Sequence, residues 1–338
     1  MAWPRSAIHC LVLLLVLLLD MHLGSAADSA GGDEEGLLVS ATIPMAHGLS
    51  MPRLGVGTAA LGGQGAGVVA AALAFGVTLV DTAQAPEWYS EADVGRGIEY
   101  FLQDSRGQRS YSDVFVVTKI HPRHFGLRDM HDALSASRRL LMRDRKPVDL
   151  ALLHAPRCWP GHCTREQEAV SWQRGWRSLE QLRRGGLAAL VGVSNFDAAE
   201  LRQLLALADS QVAAVQNWCD PFHQDREARA VAAEHGVVYM AYSPLGAQWE
   251  QKMGYNPVLA APTLLRIAAA RGASAAEVVL SWALQEGLVA IPRSADAAHL
   301  RANSFETRVA ADGRLRCFLT PQDMHDIRAL DGTLGLPW

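Results

Sequence analysis

The chain has no Asn-x-Ser/Thr sequon and few cysteines, five in 338 residues. The first absence decides neither for nor against secretion. The second excludes a disulfide-built scaffold, because only Cys158, Cys163, Cys219 and Cys317 remain once a leader carrying Cys10 is set aside. A long basic run is missing too, with a formal net charge of −4 and a pI near 6.3. That leaves no electrostatic footprint for nucleic acid or an anionic membrane, and makes a small molecule the expected ligand. The apolar run from Leu11 to Leu19 falls short of the about 20 residues a membrane span needs.

Arg5 precedes that run and Gly24-Ser25-Ala26-Ala27 follows it, the layout of a secretory signal peptide. Residues 1–27 are therefore expected to be a cleaved signal leading into the secretory pathway. An uncleaved anchor, or the first part of a compound organelle-targeting signal, is the alternative. Residues 28–36 read as a linker, and the mature chain is expected to have no stable membrane span. Cys158 and Cys163 share one short loop, Cys158-Trp159-Pro160-Gly161-His162-Cys163. A local disulfide, two free thiols and a metal site with His162 are open readings there. The last is disfavoured because no second ligand pair with zinc spacing accompanies it, so no metal is expected.

What is present is a regular alternation. Hydrophobic residues make up 49% of the chain, ample for a large core. Strand-like runs occur at residues 53–57, 77–80, 114–118, 148–153, 189–193, 212–216, 237–241 and 288–291. Amphipathic helical patterns fill the gaps, among them 68–75, 130–141, 172–183, 198–207, 226–235 and 275–284. Eight strands alternating with helices and no break in composition predict one α/β domain over 37–338, a closed parallel (β/α)8 TIM barrel. Leu37 to Ser40 followed by Thr42-Ile43 is expected to form a hairpin closing the barrel floor. Extra length after the fourth strand (155–171) and the seventh (244–262) falls at the rim where such barrels keep their chemistry.

Three of the runs end in a group that can carry charge: Asp81, Lys119 and His154, with Tyr89 on the loop beyond the first. Parallel strands would gather them at one rim, where an acid, an ammonium, an imidazole and a phenol outline a proton-transfer site. Each alone is an ordinary polar strand end; the convergence makes the case. Gly55-Val56-Gly57-Thr58-Ala59-Ala60 matches the weak Gly-x-Gly-x-x-Ala dinucleotide fingerprint. Its helix would start too late to give a phosphate an N-terminus, and the alternation continues to Ile291, so the barrel is preferred.

Four later strand ends extend the case to a cofactor. Ser194 and Asn195, then Gln216, could hydrogen-bond a carboxamide. Tyr242 offers a ring for stacking, and Ser243-Pro244-Leu245-Gly246 lets backbone approach a phosphate. Arg293 and Ser294 pair a guanidinium with a hydroxyl. With these motifs in this order, from about Met51 to Asp331, the chain resembles the aldo-keto reductase family. The resemblance implies NADPH rather than NADH, a carbonyl substrate, and a catalytic Asp81, Tyr89, Lys119 and His154. It further implies Ser194, Asn195 and Gln216 on the carboxamide, Tyr242 on the nicotinamide, Ser243 and Leu245 along the nucleotide, and Arg293, Ser294 and Asn303 in the cofactor site.

The chain departs from the family pattern in several places. Tyr89 lies three positions further from Asp81 than is usual, with Ala85-Pro86-Glu87 inserted; Arg293 replaces a Lys; His299 and Ala302 replace an Arg and an acid. A barrel that binds the nucleotide without catalysis, as a redox sensor or a partner's subunit, is the competing reading, and the displaced Tyr89 separates the two. Trp159, Trp172, Trp218 and Trp249 are candidates to wall an apolar pocket. With a short tail after Asp331, they predict small aromatic or aliphatic aldehydes ahead of sugars.

Overall fold

Val148–Leu153 forms a strand with all six residues buried, because helices cover one face and the barrel interior the other. The computed structural model describes residues 37–305 and 308–335; the expected signal and linker lie outside the described residues. In chain order the strands are β1 (Leu37–Val39), β2 (Thr42–Pro44), β3 (Ser50–Pro52), β4 (Gly55–Gly57), β5 (Leu79–Asp81) and β6 (Phe115–Ile120). They continue with β7 (Val148–Leu153), β8 (Ala188–Ser194), β9 (Ala214–Trp218), β10 (Val238–Tyr242), β11 (Val289–Ile291) and β12 (Leu315–Cys317). Strands β4 to β11 lie side by side in sequence order, all parallel. Ala290 N donates to Arg53 O and Gly57 N to Pro292 O, both at 2.9 Å, so β11 meets β4 and the sheet closes. The eight runs read from the sequence match these strands to within two residues at either end.

Side chains alternate along each strand, so one parity fills the barrel and the other meets the helices. The interior set includes Leu79, Phe115, Val117, Leu150, Leu152, Leu190, Met240, Val289 and Ile291. Each such apolar side chain stabilises the fold by roughly 1.5–3 kcal/mol on burial. Gly192 belongs to the same parity. A Cβ there would sit 2.2 Å from the Ala214 carbonyl oxygen, so only glycine lets β8 and β9 approach this closely.

The floor hairpin differs from expectation. Thr42–Pro44 pairs antiparallel with Ser50–Pro52, whereas Leu37–Val39 pairs with Leu315–Cys317 near the other end of the chain. Met51 is fully buried against the interior set, with Ile43, Met45 and Leu49 packed beside it, so the hairpin plugs the floor with apolar groups. The glycine-rich fingerprint resolves as the sequence argument anticipated: the helix after β4 begins only at Gly65, beyond a single turn at Gly62–Gln64. Among the described residues no single helix is long and apolar enough to cross a membrane.

Candidate active site

The interior parity that fills the barrel with hydrocarbon turns polar at its C-terminal end. Asp81 follows Leu79 by two residues, Lys119 follows Val117, His154 follows Leu152, Gln216 follows Ala214, Tyr242 follows Met240 and Arg293 follows Ile291. Strand periodicity therefore aims them at one place. They line a cleft of about 340 Å³ with Tyr89, Ser194, Asn195, Ser243 and Leu245.

At its base Lys119 Nζ donates to Asp81 Oδ2 at 2.6 Å and to the Thr82 carbonyl at 3.1 Å, both side chains being buried. Gln216 Nε2 donates to the other Asp81 oxygen at 2.7 Å. Burial alone would push the Lys119 ammonium down; Asp81 and Tyr89 outweigh it and the net shift is upward, so Lys119 stays charged. Its Nζ lies 5.2 Å from the centre of the Tyr89 ring. Burial raises the Tyr89 phenol above its ordinary value while the Lys119 charge opposes the rise, so the phenol keeps its proton at neutral pH. Burial, then the charge of Lys119, holds His154 well below its ordinary value as a neutral imidazole. The His154 and Tyr89 rings meet edge to face, centroids 6.0 Å apart.

The insertion before Tyr89 closes a turn. The Ala85 carbonyl accepts from both Trp88 N (2.9 Å) and Tyr89 N (2.8 Å), and Ala60 N donates to the Trp88 carbonyl at 2.6 Å. Ser90 then caps the helix Glu91–Asp104, accepting from Asp93 N. Pro86, Glu87 and Trp88 are exposed on this turn, Trp88 also lining the cleft, and Tyr89 returns to the cleft between two fixed points.

Tyr242 OH donates to Asn195 Oδ1 at 2.8 Å, and Asn195 Nδ2 donates to the His154 carbonyl at 2.8 Å, which fixes the Tyr242 ring against the cleft. Asn195 takes a left-handed φ of 59°, a conformation asparagine tolerates. Arg293 is exposed at the rim. The structure does not bring Ser294 or Asn303 to the cleft lining: Ser294 Oγ accepts from Asp296 N (3.1 Å), and Asn303 is buried at the end of the helix Ala297–Asn303. Of the four rim tryptophans only Trp159 lines the cleft. Trp172 packs on Phe196, while Trp218 and Trp249 donate to buried Asp220. Thr58, Trp88, Gln248 and Gln251 line it too, though none was among the expected site residues. The sequence signals were the glycine-rich loop assigned to the rejected fingerprint, the insertion, and the extra length after the seventh strand. Cys158 and Cys163 form a disulfide. Among the described residues no group of three or more His, Cys, Asp or Glu could hold a metal ion.

A family model described as the aldo/keto reductase family matches residues 53–310. The chain is also 34% identical over 266 residues to an aldo-keto reductase of Mycolicibacterium vanbaalenii, covering 78% of this chain and 86% of that protein. The chain belongs to the aldo/keto reductase family. It is 33% identical over 270 residues to morphine 6-dehydrogenase of Pseudomonas putida, covering 78% and 85%. An aldo-keto reductase of Bombyx mori solved in complex with NADP shares the fold, with a TM-score of 0.75 over 88% of this chain and 94% of its own, at 22% identity. As an aldo/keto reductase the chain is an oxidoreductase of carbonyl compounds.

Proposed function

We propose that this protein reduces aldehydes or ketones to alcohols with NADPH, Tyr89 giving the proton. The observation that carries the reading is the convergence of Asp81, Lys119, Tyr89 and His154 at the base of one cleft. The NADP complex of the Bombyx mori protein and the residues opposite this cluster support the cofactor. Gln216 Oε1 is buried without a hydrogen-bond partner among the described residues, an acceptor suited to a carboxamide NH2. Tyr242 would stack on the nicotinamide, Ser194 and Asn195 would hold its amide, and Arg293 would meet the 2'-phosphate.

NADPH, when bound, supplies a hydride to the carbonyl carbon. The chain's part is to manage the charge left on oxygen. Tyr89 is a phenol at neutral pH and donates its proton to that oxygen. Lys119 stabilises the resulting phenolate, and Asp81 and the Thr82 carbonyl hold the ammonium beneath it. His154, neutral, donates a hydrogen bond that orients the carbonyl. Trp88 and Trp159 line the cleft beside these groups.

The test is NADPH consumption by purified protein with a panel of aldehydes. Turnover supports the enzyme; tight NADPH binding with no oxidation by any carbonyl supports the nucleotide-binding sensor. The position of Tyr89 beside Lys119 favours the enzyme. We further propose entry into the secretory pathway. The Cys158–Cys163 bridge suits an oxidising compartment. N-terminal sequencing of expressed protein should find a start near Ala27, and an intact Met1 would count against it.

A further inference from the structure

The turn between Cys158 and Cys163 is tied at two levels. His162 N donates to the Trp159 carbonyl at 3.1 Å, with Pro160 and Gly161 between them and Gly161 at φ 80°. Proline followed by a glycine at positive φ is the pattern of a type II turn. Outside it, the disulfide joins Cα atoms 6.1 Å apart. A loop closed twice has few other shapes available.

The closed turn holds Trp159 and His162 in place. The Trp159 ring stands edge-on to His154, centroids 4.9 Å apart and planes at 75°, and touches Trp88 at 5.6 Å. The His162 ring lies against Trp88 at 5.1 Å, and its Nδ1 is 3.7 Å from Glu87 Oε1. Glu87 is also paired with Arg123. The clasped turn is thus docked on the inserted turn that carries Trp88 and Tyr89. From these two turns Trp88, Tyr89 and Trp159 line the cleft. The two indoles, with the His154 imidazole, offer ring edges and faces to a flat ligand. They offer few partners to the hydroxyls of a sugar, which would be buried unsatisfied.

We propose that the Cys158–Cys163 bridge is a positioning element for substrate selectivity: by holding Trp159 edge-on to His154 it gives the carbonyl pocket its preference for flat aromatic aldehydes and ketones. This rests on the carbonyl-reductase reading above. The bridge itself touches no reacting atom and acts only through Trp159.

The test compares the parent with Cys158→Ser/Cys163→Ser, Trp159→Ala and all three changes combined. The readouts are kcat and KM for benzaldehyde and butanal, with NADPH affinity by fluorescence. Loss of the bridge is expected to lower the benzaldehyde-to-butanal ratio of kcat/KM about tenfold, the size of one or two ring contacts. The fall should lie in the benzaldehyde KM, with butanal kinetics and NADPH affinity as in the parent. Trp159→Ala should lower the ratio similarly, and the combined variant no further. Parent protein opened with dithiothreitol and capped with iodoacetamide is a second sample independent of folding without the bridge; Cys219 and Cys317 are buried and spared. An unchanged ratio in either sample, an equal loss for both aldehydes, or a further fall in the combined variant overturns the proposal. A parent that oxidises no NADPH with any aldehyde overturns the reading of function and this inference with it; an active parent with an unchanged ratio overturns this inference alone.

Discussion

Gln216 Nε2 donates to Asp81 Oδ1 at 2.7 Å across the mouth of the barrel, from the strand diametrically opposite. A carboxylate only accepts, so the amide must turn its carbonyl oxygen away from Asp81, and that oxygen is the orphaned Oε1. A buried acceptor without a partner costs roughly 1–3 kcal/mol, which a bound carboxamide would offset. Gln216→Leu is therefore expected to weaken NADPH and NADH alike, by about tenfold in fluorescence titration. A loss confined to one nucleotide would contradict a role at the carboxamide they share.

Arg293 should give the opposite signature. It is exposed at the rim of the cleft, free to form bidentate bonds with a 2'-phosphate that NADH lacks. Arg293→Ala is expected to weaken NADPH about 10- to 100-fold and leave NADH nearly unchanged, measured by the same titration. Equal losses would assign Arg293 to a phosphate common to both.

Asp81, Lys119 and His154 were legible because each ends an apolar run, and strand alternation converts that position into a direction. The pairing of Gln216 with Asp81 was not, since they are 135 residues apart and only closure of the barrel brings them together. The partners of β1 and β2 were hidden for a similar reason: three-residue strands carry no mark of what they pair with, and β1 pairs with β12 near the other end of the chain. Three extra residues before Tyr89 could be counted. That the Ala85 carbonyl would gather two N–H groups and close them into a turn could not. Trp218 and Trp249 misled because tryptophans near a rim look alike, whether they line a cleft or donate to a buried acid.

Asp220 supplies a test of stability. It accepts from Trp218 Nε1 (2.7 Å), Trp249 Nε1 (2.8 Å), Phe222 N (2.8 Å) and His223 N (3.2 Å). Burial nevertheless pushes its carboxyl up to about 6 from an ordinary 3.8, the four donors lowering it only in part. The folded protein thus binds this proton more tightly than the unfolded chain. The stability it contributes is full below about pH 4 and lost as pH rises through about 6. Asp220→Asn should flatten that dependence, seen in thermal melts across the window. Asp220→Ala should cost on the order of 3 kcal/mol by removing the buried acceptor of two indole N–H groups. An unchanged slope in the Asn variant would show that other groups set it.

Tyr89 and Lys119 should fail in distinguishable ways. Tyr89→Phe keeps the ring and removes the proton, so NADPH should bind as before while single-turnover reduction of an aldehyde falls by about two to four orders of magnitude. Lys119→Met keeps the phenol but removes the charge that opposes its upward shift, so the rate falls while the pKa of Tyr89 climbs further. An acid works only while protonated, so activity is lost as pH rises through its pKa, and in Lys119→Met that alkaline limb should move to higher pH. In Tyr89→Phe a limb due to the phenol should vanish. The measurement is the pH profile of the single-turnover rate for parent and both variants. If Tyr89→Phe reduces the aldehyde at the parent rate, the proton comes from elsewhere. His154 is then a poor substitute, because burial and Lys119 already keep its imidazole neutral and far from acidic at the pH of the reaction.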